Sequence, residues 1–314
     1  MTYSFDAPHF NNAEAARTML EGIRWPSGPV CSHCGVINHA YATKRAGVYR
    51  CAEPECRKDF SVTTGTVMER SKIALHKWMM GFFLMCSSKK GISAHQLHRS
   101  LGITYQAAWF MCHRIREAMR DGGLAPMGGS GSIVEADETY FGNIKGEVKH
   151  SRKRYNYKPT RGGRVGPAGK RAIVALVERG GKMRSFHVEI ADKKSVNAII
   201  TANIAKETRL FTDESTLYGD AKHLFADHQT VKHSHNEYVR GDVHTNTIEA
   251  TFSVFKRGMK GIYQHCAEKH LHRYLAEFDF RYNHRSKLGI GDVERTVAAL
   301  KGIEGKRLMY YQAG

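Results

Sequence analysis

The sequence lacks any run of 18 apolar residues, the length of a candidate membrane-spanning helix, so it predicts no transmembrane segment. Its N-terminal stretch, MTYSFDAPHFNNAEAARTML, also lacks the basic start and the apolar core of a secretory signal. Acidic residues are comparatively few, with 30 Asp and Glu against 48 Lys and Arg. The missing apolar run argues against an integral membrane protein, and the missing signal argues against an exported one. We therefore expect a cytoplasmic protein.

Cysteine is scarce and odd in number, at seven residues, which is not the composition of a disulfide framework. Four of the seven form two closely spaced pairs, Cys31 with Cys34 and Cys51 with Cys56. Because thiolates at short spacing can share one tetrahedral Zn²⁺, the pattern predicts a structural zinc ribbon with one zinc ion in a reducing cytoplasm. Two alternatives stay open: a cluster of free thiols, and a site in which His33 replaces one cysteine.

The excess of basic residues gives a net charge of +18 and a pI of about 9.6. Such a surface attracts polyanions, and contacts to a phosphate backbone gain free energy by releasing counterions. The charge therefore predicts nucleic-acid binding. A solvated basic surface without a partner is the alternative.

The length of 314 residues suggests two or three domains. Composition separates residues 1–67, which hold the clustered cysteines and a predicted N-terminal helix, from residues 68–121, which are rich in helix formers. A Gly-rich linker follows over residues 122–131. Residues 132–314 form the largest segment, for which we predict an α/β domain with a mixed central sheet and a C-terminal helical tail.

The second of these segments shows the pattern of two helices separated by a short turn. One helix is predicted over about Ser93–Ser100, Gly102 lies in the turn, and a second helix begins near Thr104. In a helix-turn-helix motif the second helix enters the major groove; an ordinary helical hairpin that only packs is the alternative. The side chains expected to contact DNA are Tyr105 and Gln106 for the bases and Arg114, Arg116 and Arg120 for the phosphates.

Three acidic residues of the last segment come from distant positions. Asp137 is expected to end the first strand, Asp213 ends a fourth strand, RLFTD, and Glu249 lies in a late helix. The order of the elements predicts the first and fourth strands side by side, with that helix packed against them. Clustered carboxylates repel one another unless cations neutralise them, and hard oxygen ligands suit Mg²⁺. We predict two Mg²⁺ (or Mn²⁺) ions about 4 Å apart, an arrangement that serves phosphoryl displacement.

Residues near these acids extend the predicted site. Lys256 lies seven positions after Glu249, nearly two helical turns, and could hold a DNA phosphate together with Arg257. Asn246, three positions before Glu249, could bind a metal ion or DNA. Residues 145–171 contain ten Lys or Arg and predict either a phosphate-binding loop or a solvated charged loop. The contacts expected from that loop are Arg152, Lys153 and Arg154.

Other acids are expected to have supporting roles. Because neighbours on a strand alternate faces, Glu135 should share the face of Asp137, whereas Glu138 should point away from it. Glu138 is therefore predicted to be structural or to support the site. Asp220 and Asp242 are predicted to lie on the surface.

Four stretches of the chain resemble bacterial insertion-sequence transposases with the ISXO-like catalytic domain: VEADETYFG, TDESTLYG, HTNTIEATFSVFKRGMKGIY and EKHLHRYLAEFDFRYNHR. The resemblance runs from the predicted zinc ribbon to about residue 285. It implies a ribonuclease-H-like DDE domain that cuts at transposon ends and joins the freed 3′-hydroxyl to target DNA. It also implies that the ribbon and the helical region recognise terminal inverted repeats, and that a homo-oligomer pairs two DNA ends.

Carried onto this sequence, the resemblance makes Asp137 and Asp213 the first two metal ligands. The third position in this group is Asn or Glu, and both Asn246 and Glu249 are available; the offset to Lys256 favours Glu249. The sequence departs from the group after Glu249, where the usual aromatic residue is displaced by Ala and Thr. Two other functions stay open: a metal-dependent nuclease without strand transfer, and a non-catalytic DNA-binding regulator. A Ser or Tyr recombinase is not expected, because no nucleophile stands in a supporting motif.

Overall fold

The structure of the chain, a computed structural model, describes residues 4–122, 124–143 and 169–309. In chain order the described helices are α1 (Pro8–Asn11), α2 (Ala13–Arg24), α3 (Leu75–Ser87), α4 (Ala94–Leu101), α5 (Tyr105–Ala118), α6 (Lys193–Asn203), α7 (Ala221–Leu224), α8 (Asn246–Gly258), α9 (Leu271–Asn283) and α10 (Asp292–Lys301). The described strands are β1 (Ala40–Ala42), β2 (Val48–Cys51), β3 (Asp59–Ser61), β4 (Ile133–Asn143), β5 (Lys170–Glu178), β6 (Met183–Val188), β7 (Arg209–Asp213), β8 (Asp227–Val231), β9 (Val239–Arg240) and β10 (Val243–His244). Within these ranges, no helix combines the length and the apolar character needed to cross a membrane.

The chain folds into two compact units. Residues 1–122 together with 284–314 form the terminal unit, and residues 123–283 form the central unit. The sequence prediction had placed all of 132–314 in one domain, and for the tail the structure differs, because α10 packs against α2, α3 and α5 of the terminal unit. Burial explains this arrangement: Leu300 of α10 and the following Ile303 are both fully buried.

The first part of the terminal unit contains a three-stranded antiparallel sheet in the order β1-β2-β3. The stretch HAYATKRAGVYR predicts a hairpin around Gly47, and Gly47, at φ +72°, lies in the turn between β1 and β2. Phe60 on β3 packs edge-on against Trp25 and stacks on Tyr49. Aromatic pairs of this kind contribute about 0.5–1.5 kcal/mol beyond the area that they bury, so they hold one face of this small sheet together.

Helices α4 and α5 form the predicted helix pair. The Oγ of Ser93 accepts a hydrogen bond from the N–H of Gln96 at 3.1 Å, and the Oγ1 of Thr104 accepts one from Ala107 at 3.2 Å. Both predicted N-caps are therefore confirmed. Gly102 ends α4 at φ +57°, in the left-handed region that glycine adopts most easily, and so allows the chain to turn directly into α5.

The central unit is built on a five-stranded mixed sheet in the order β6-β5-β4-β7-β8. Strands β4, β5 and β6 pair antiparallel, whereas β7 and β8 add to the other side of β4 in parallel. The predicted adjacency of the first strand, β4, and the fourth, β7, is confirmed. The two apolar runs on either side of Gly180 and Gly181 predict a hairpin, and the β5–β6 pair confirms it, with Gly180 at φ +73° in the turn.

Both faces of this sheet are covered by apolar side chains. On one face a cluster joins strand residues to α6, and its members include Val134, Ala136, Val174, Leu176, Val196 and Ile200. On the other face, clusters join alternate strand residues to α8 and α9, including Ile173, Ala175, Val177, Ile248, Phe255, Leu271, Tyr274, Leu275 and Phe278. The last four residues confirm the apolar face predicted for α9. Successive residues of β5 pack on opposite faces, as the two-residue period of a strand requires, and the strand is buried on both faces.

Only part of the predicted Gly-rich linker connects the two units, because its second half belongs to the central unit. Met127 is buried, its N–H donates to the carbonyl of Asn203 at 2.7 Å, and its carbonyl accepts from Ala205 at 2.9 Å. The N–H of Gly129 donates to the Oγ1 of Thr208 at 2.9 Å. The second half of the segment is therefore packed into the central unit, because its one large apolar side chain is buried there.

Candidate active site

Two neighbouring strands place Asp137 beside Asp213. In the parallel β4–β7 pair, Glu135 lies opposite Phe211, so Asp137 is level with Asp213 two residues further along. Asp213 ends β7 as predicted. The prediction that Asp137 ends its strand was wrong: β4 continues to Asn143, because its antiparallel neighbour β5 keeps pairing with it.

Helix α8 carries Glu249 and Lys256 to a cleft of about 700 Å³ beside Asp137. The cleft is lined by Asp137, Glu138, Thr139, Glu249, Phe252, Ser253, Lys256, Arg257, Lys260 and Gly261. Glu249 and Lys256 therefore share one face of α8, as their spacing predicted. Asn246, the first residue of α8, is exposed and does not line this cleft. The arrangement joins carboxylates to three cationic side chains within one open groove.

Burial and mutual repulsion raise the pKa values of Asp137, which lines this cleft, and of Asp213 on the neighbouring strand, which is not among the lining residues. The pKa of Asp137 lies well above its usual value, first because the group is buried and then because Glu138 and Asp213 are close. Burial also raises the pKa of Asp213, although the backbone N–H of Ser215 opposes this by donating a 3.0 Å hydrogen bond. A cation placed among such carboxylates would remove the repulsion and favour their charged forms.

The spacing of the acids differs from that of a single-ion cage. Among the described residues, only the four cysteines bring three or more ligand atoms within 4.8 Å of one another. Asp137, Asp213 and Glu249 are near enough to affect one another electrostatically, since the pKa of Asp137, which burial raises, is raised further by Asp213 and Glu249. They do not converge on one point.

Glu138 is a fourth acid at this site. Its carboxylate accepts a hydrogen bond from the Tyr218 hydroxyl at 3.0 Å, and burial together with the charge of Asp213 raises its pKa. Tyr218 belongs to the apolar cluster on the α6 face, so Glu138 reaches a partner on the face opposite to Asp137, as strand alternation predicted. Glu138 nevertheless lines the cleft and adds to its negative charge.

His233 also lies near the acids, although nothing in the sequence singled it out. It follows β8, whose last residue, Val231, pairs with Asp213, and its Nε2 is 3.9 Å from the Oε1 of Glu249. Its ring packs edge-on against Tyr238. The only signal in the sequence was its position just past a strand that adjoins β7, and that signal depends on knowing the order of the sheet.

The four predicted zinc ligands come together in the terminal unit. The Sγ atoms of Cys31 and Cys56 are 3.8 Å apart, those of Cys34 and Cys51 are 3.6 Å apart, and all four lie within 4.8 Å of one another. Thiolates bound 2.3 Å from a tetrahedral ion are separated by about 3.8 Å, so this donor set fits Zn²⁺. His33 is exposed and its Nε2 lies 3.2 Å from the carbonyl of Asp59, outside this set.

The DNA contacts predicted for α5 separate into two groups. Tyr105 and Gln106, in the first turn of α5, are exposed. Arg116 is buried, which contradicts the phosphate contact expected of it. Arg114 is partly buried and donates to the carbonyl of Glu69 at 3.2 Å, and its phosphate contact stays a prediction. Most residues in the C-terminal half of α5 are buried within the terminal unit.

The remaining predicted contacts lie elsewhere. Arg120 is exposed and pairs with Glu117 at 2.9 Å. Arg257 lines the cleft of the central unit. Arg152, Lys153 and Arg154 lie outside the described residues.

Comparison with known proteins gives two family matches that agree with these sites. Residues 128–283 match the model of the ISXO2-like transposase domain, and residues 11–59 match that of the transposase zinc-ribbon domain. The chain is also similar to an uncharacterized protein in transposable element ISH50 from Halobacterium salinarum, with 27% identity over 280 residues. That alignment covers 87% of this chain and 91% of the relative.

Proposed function

Because the chain belongs to the ISXO2-like transposase family, we propose that it binds the terminal inverted repeats of its element, cleaves at the element's ends and joins their 3′-hydroxyls to target DNA. The observation that carries this proposal is the meeting of Asp137 and Asp213 from adjacent strands with Glu249 and Lys256 from α8. On this proposal the mixed sheet with its covering helices is a ribonuclease-H-like catalytic domain.

The residues that would hold Mg²⁺ are Asp137, Asp213 and Glu249. Their oxygen donors are those that Mg²⁺ prefers. The pKa of Asp137 is raised first by burial and then by the negative charge of its neighbours, and cations relieve that repulsion. Bound there, two divalent ions would supply charge neutralisation for an in-line phosphoryl displacement. The spread of the acids over more than 4.8 Å fits a site for more than one ion better than a cage for a single one. Glu249 is favoured over Asn246 as the third ligand, because Glu249 lines the cleft and its charge raises the pKa values of both Asp137 and Asp213, which burial raises most.

The basic side of the cleft would bind the phosphate backbone of the reacting DNA strand. Lys256, Arg257 and Lys260 follow one another along the same lining. Burial lowers the pKa of Lys256, and the nearby Asp137 opposes that effect, so Lys256 is close enough to the acids to interact with Asp137. Cations in such positions bind and orient the strand, and positioning is the main contribution that a protein makes to phosphoryl transfer.

The terminal unit would recognise the ends of the element. Its helix pair has the length and the tight turn of a helix-turn-helix motif, with the exposed Tyr105 and Gln106 at the start of the second helix. The zinc ribbon would fix the neighbouring part of this unit, since four thiolates leave no open position for catalysis. We further propose that the active species is a homo-oligomer assembled on paired DNA ends.

A strand-transfer assay tests the proposal. Labelled DNA from the flanks of the gene is incubated with a plasmid target, Mg²⁺ or Mn²⁺, and either the wild-type protein or Asp213→Asn. We expect metal-dependent joined product from the wild type and a loss of about 10³-fold or more in the variant, because metal-ion catalysis supplies several kcal/mol of transition-state stabilisation.

Asp242→Asn is the matched control, because Asp242 is an exposed carboxylate that pairs with Arg209 and does not line the cleft. It should join DNA at the wild-type rate. If the protein cleaves the DNA but does not join it, its function is that of a nuclease and not that of a transposase. Specific DNA binding with neither reaction would leave a DNA-binding regulator.

A further inference from the structure

Helix α8 is anchored to β4 by a buried carboxylate that belongs to the strand. Glu135, fully buried, accepts hydrogen bonds from Thr247 Oγ1 at 2.8 Å and from the backbone N–H of Ile248 at 2.9 Å. Arg179 neutralises it through its Nε at 2.6 Å and also donates to the carbonyl of His244 at 2.9 Å. The first N–H groups of a helix have no partner within the helix, so Glu135 acts as the cap of α8 from another element.

This arrangement frees the residue that would ordinarily cap the helix. Thr245 is the N-cap residue of α8, and threonine at this position usually accepts a hydrogen bond from a backbone N–H two or three residues on. Its hydroxyl accepts none here. Thr245 instead donates to the Oε1 of Glu249 at 2.9 Å, and its side chain is buried.

The contacts made by Glu135 and by Thr245 connect the strand of Asp137, the first predicted metal ligand, to Glu249, the third. Glu135 lies two residues before Asp137 on the same face of β4, and it fixes the start of α8 relative to that strand. Thr245 then restrains the side chain of Glu249, which is otherwise half-exposed and free to choose among several rotamers. A residue that does not bind the metal can orient a carboxylate ligand toward its ion by donating a hydrogen bond to it.

We infer that Thr245 is a positioning residue for the catalytic carboxylates: with α8 capped by Glu135, the Thr245 hydroxyl holds Glu249 in the orientation that binds a divalent cation. This inference rests on the proposed function, because it takes Glu249 as a ligand. It adds to the site a residue, Thr245, that does not line the cleft and is not one of the predicted metal ligands.

The test compares Thr245→Val, which keeps the shape of the side chain and removes the hydroxyl, with Thr245→Ser, which keeps the hydroxyl. The zinc-loaded full-length protein is titrated with Mn²⁺ in a calorimeter, and the binding that Asp213→Asn abolishes is assigned to the cleft. We expect Thr245→Val to weaken that binding about 10-fold or more, the usual effect of removing a group that orients a metal ligand. Thr245→Ser should restore most of the loss.

Thr251→Val is the matched control, because Thr251 is a second buried threonine of α8 and its hydroxyl donates to the carbonyl of Ile248, away from Glu249. It should bind Mn²⁺ as the wild type does. The Mg²⁺ concentration that half-saturates strand transfer should rise in Thr245→Val alone, while binding to the DNA ends stays unchanged in every variant. If Thr245→Val does not fold, as judged by its melting temperature, Thr245→Ala takes its place.

The outcomes separate the inference from the proposed function. If the wild type shows no Mn²⁺ binding that depends on Asp213, the proposed function fails and the inference fails with it. If the wild type binds Mn²⁺ and joins DNA, but Thr245→Val matches it in affinity and in Mg²⁺ dependence, only the inference is overturned. An equal loss in Thr251→Val would also overturn it, because the hydroxyl of Thr245 would then have no special effect.

Discussion

The zinc ribbon of the terminal unit and the carboxylate cleft of the central unit bring their ligands together in opposite ways. In the ribbon, four thiols spaced closely along the chain converge within 4.8 Å of one another. The acids of the central unit come from two strands and one helix and are up to 112 residues apart along the chain, between Asp137 and Glu249. Asp137 and Glu249 line a groove that also holds three cations, and Asp213 lies beside Asp137 on the adjoining strand. Convergence suits a closed structural site. Carboxylates that lie further apart suit a site that must admit a substrate phosphate as well as metal ions.

The largest effect is expected from loss of a zinc ligand, because the ribbon has few buried side chains besides the metal site to hold it. Structural zinc contributes on the order of 10 kcal/mol to small zinc domains, so Cys34→Ser should lose zinc and the ordered β1–β3 sheet. Zinc content per chain and amide hydrogen exchange over residues 31–61 measure both. Cys266→Ser, which alters a cysteine of the central unit, should retain zinc. Retention of one zinc ion and of exchange protection in Cys34→Ser would show that Cys34 is not a ligand of a structural zinc ion.

A smaller and opposite effect is expected in the cleft, where the acids destabilise the metal-free fold. The pKa of Asp137 is raised in the folded chain, mainly by burial, so the folded state binds its proton more tightly than the unfolded state does. The free energy of unfolding therefore falls as the pH rises from below the ordinary carboxyl pKa of about 4 to above the raised value. In Mg²⁺-free urea unfolding with zinc retained, Asp137→Asn should be more stable than the wild type at pH 7, with little difference at pH 3.

Asp242→Asn is the control, because it should change the free energy of unfolding at pH 7 in the opposite direction. The hydrogen bond from Arg209 lowers the pKa of Asp242, so its charge stabilises the folded state at pH 7 and that contribution is lost as the pH falls. This variant should be slightly less stable than the wild type at pH 7. Added Mg²⁺ should stabilise the wild type and leave Asp137→Asn unchanged. Parallel pH profiles for the wild type and Asp137→Asn would mean that the pKa of Asp137 is not raised in the folded chain.

The smallest effect is expected from one cation on the basic side of the cleft. Lys260 is exposed, and removing a single phosphate contact lowers the slope of log K against log salt by about 1. Lys260→Ala should therefore weaken DNA binding modestly at low salt and similarly for all sequences. Lys194→Ala on α6, an exposed lysine that does not line the cleft, should leave the slope unchanged. A change in sequence preference for Lys260→Ala would contradict a backbone contact.

The same contrast explains which features could be predicted from the sequence. The zinc ligands, the caps Ser93 and Thr104, and the turn at Gly180 each depend on residues a few positions apart, and the structure agrees with all of them. The adjacency of β4 and β7 was also predicted, because the order of strands and helices limits how such a sheet can form.

The errors concern burial and distant pairing, which local patterns do not report. The continuation of β4 past Asp137 depends on β5, which follows some 30 residues later. Met127 lies in a segment predicted to be a linker and is buried against residues 203–205, and Arg116, predicted to face phosphates, is buried as well. The role of His233 could not be recognised before the neighbour of β7 was known.

The terminal unit has a consequence for the order in which the chain can fold. It is built from both ends of the sequence: residues 303–305 pair through their backbones with residues 65–67, and Arg24 forms an ion pair with Glu304 at 3.0 Å. During synthesis the helix α10 emerges only after the whole central unit. The terminal unit therefore cannot complete its core on the ribosome until the central unit has been made, so a prematurely terminated chain lacks the last buried layer of its terminal unit, whatever the state of its carboxylate cleft.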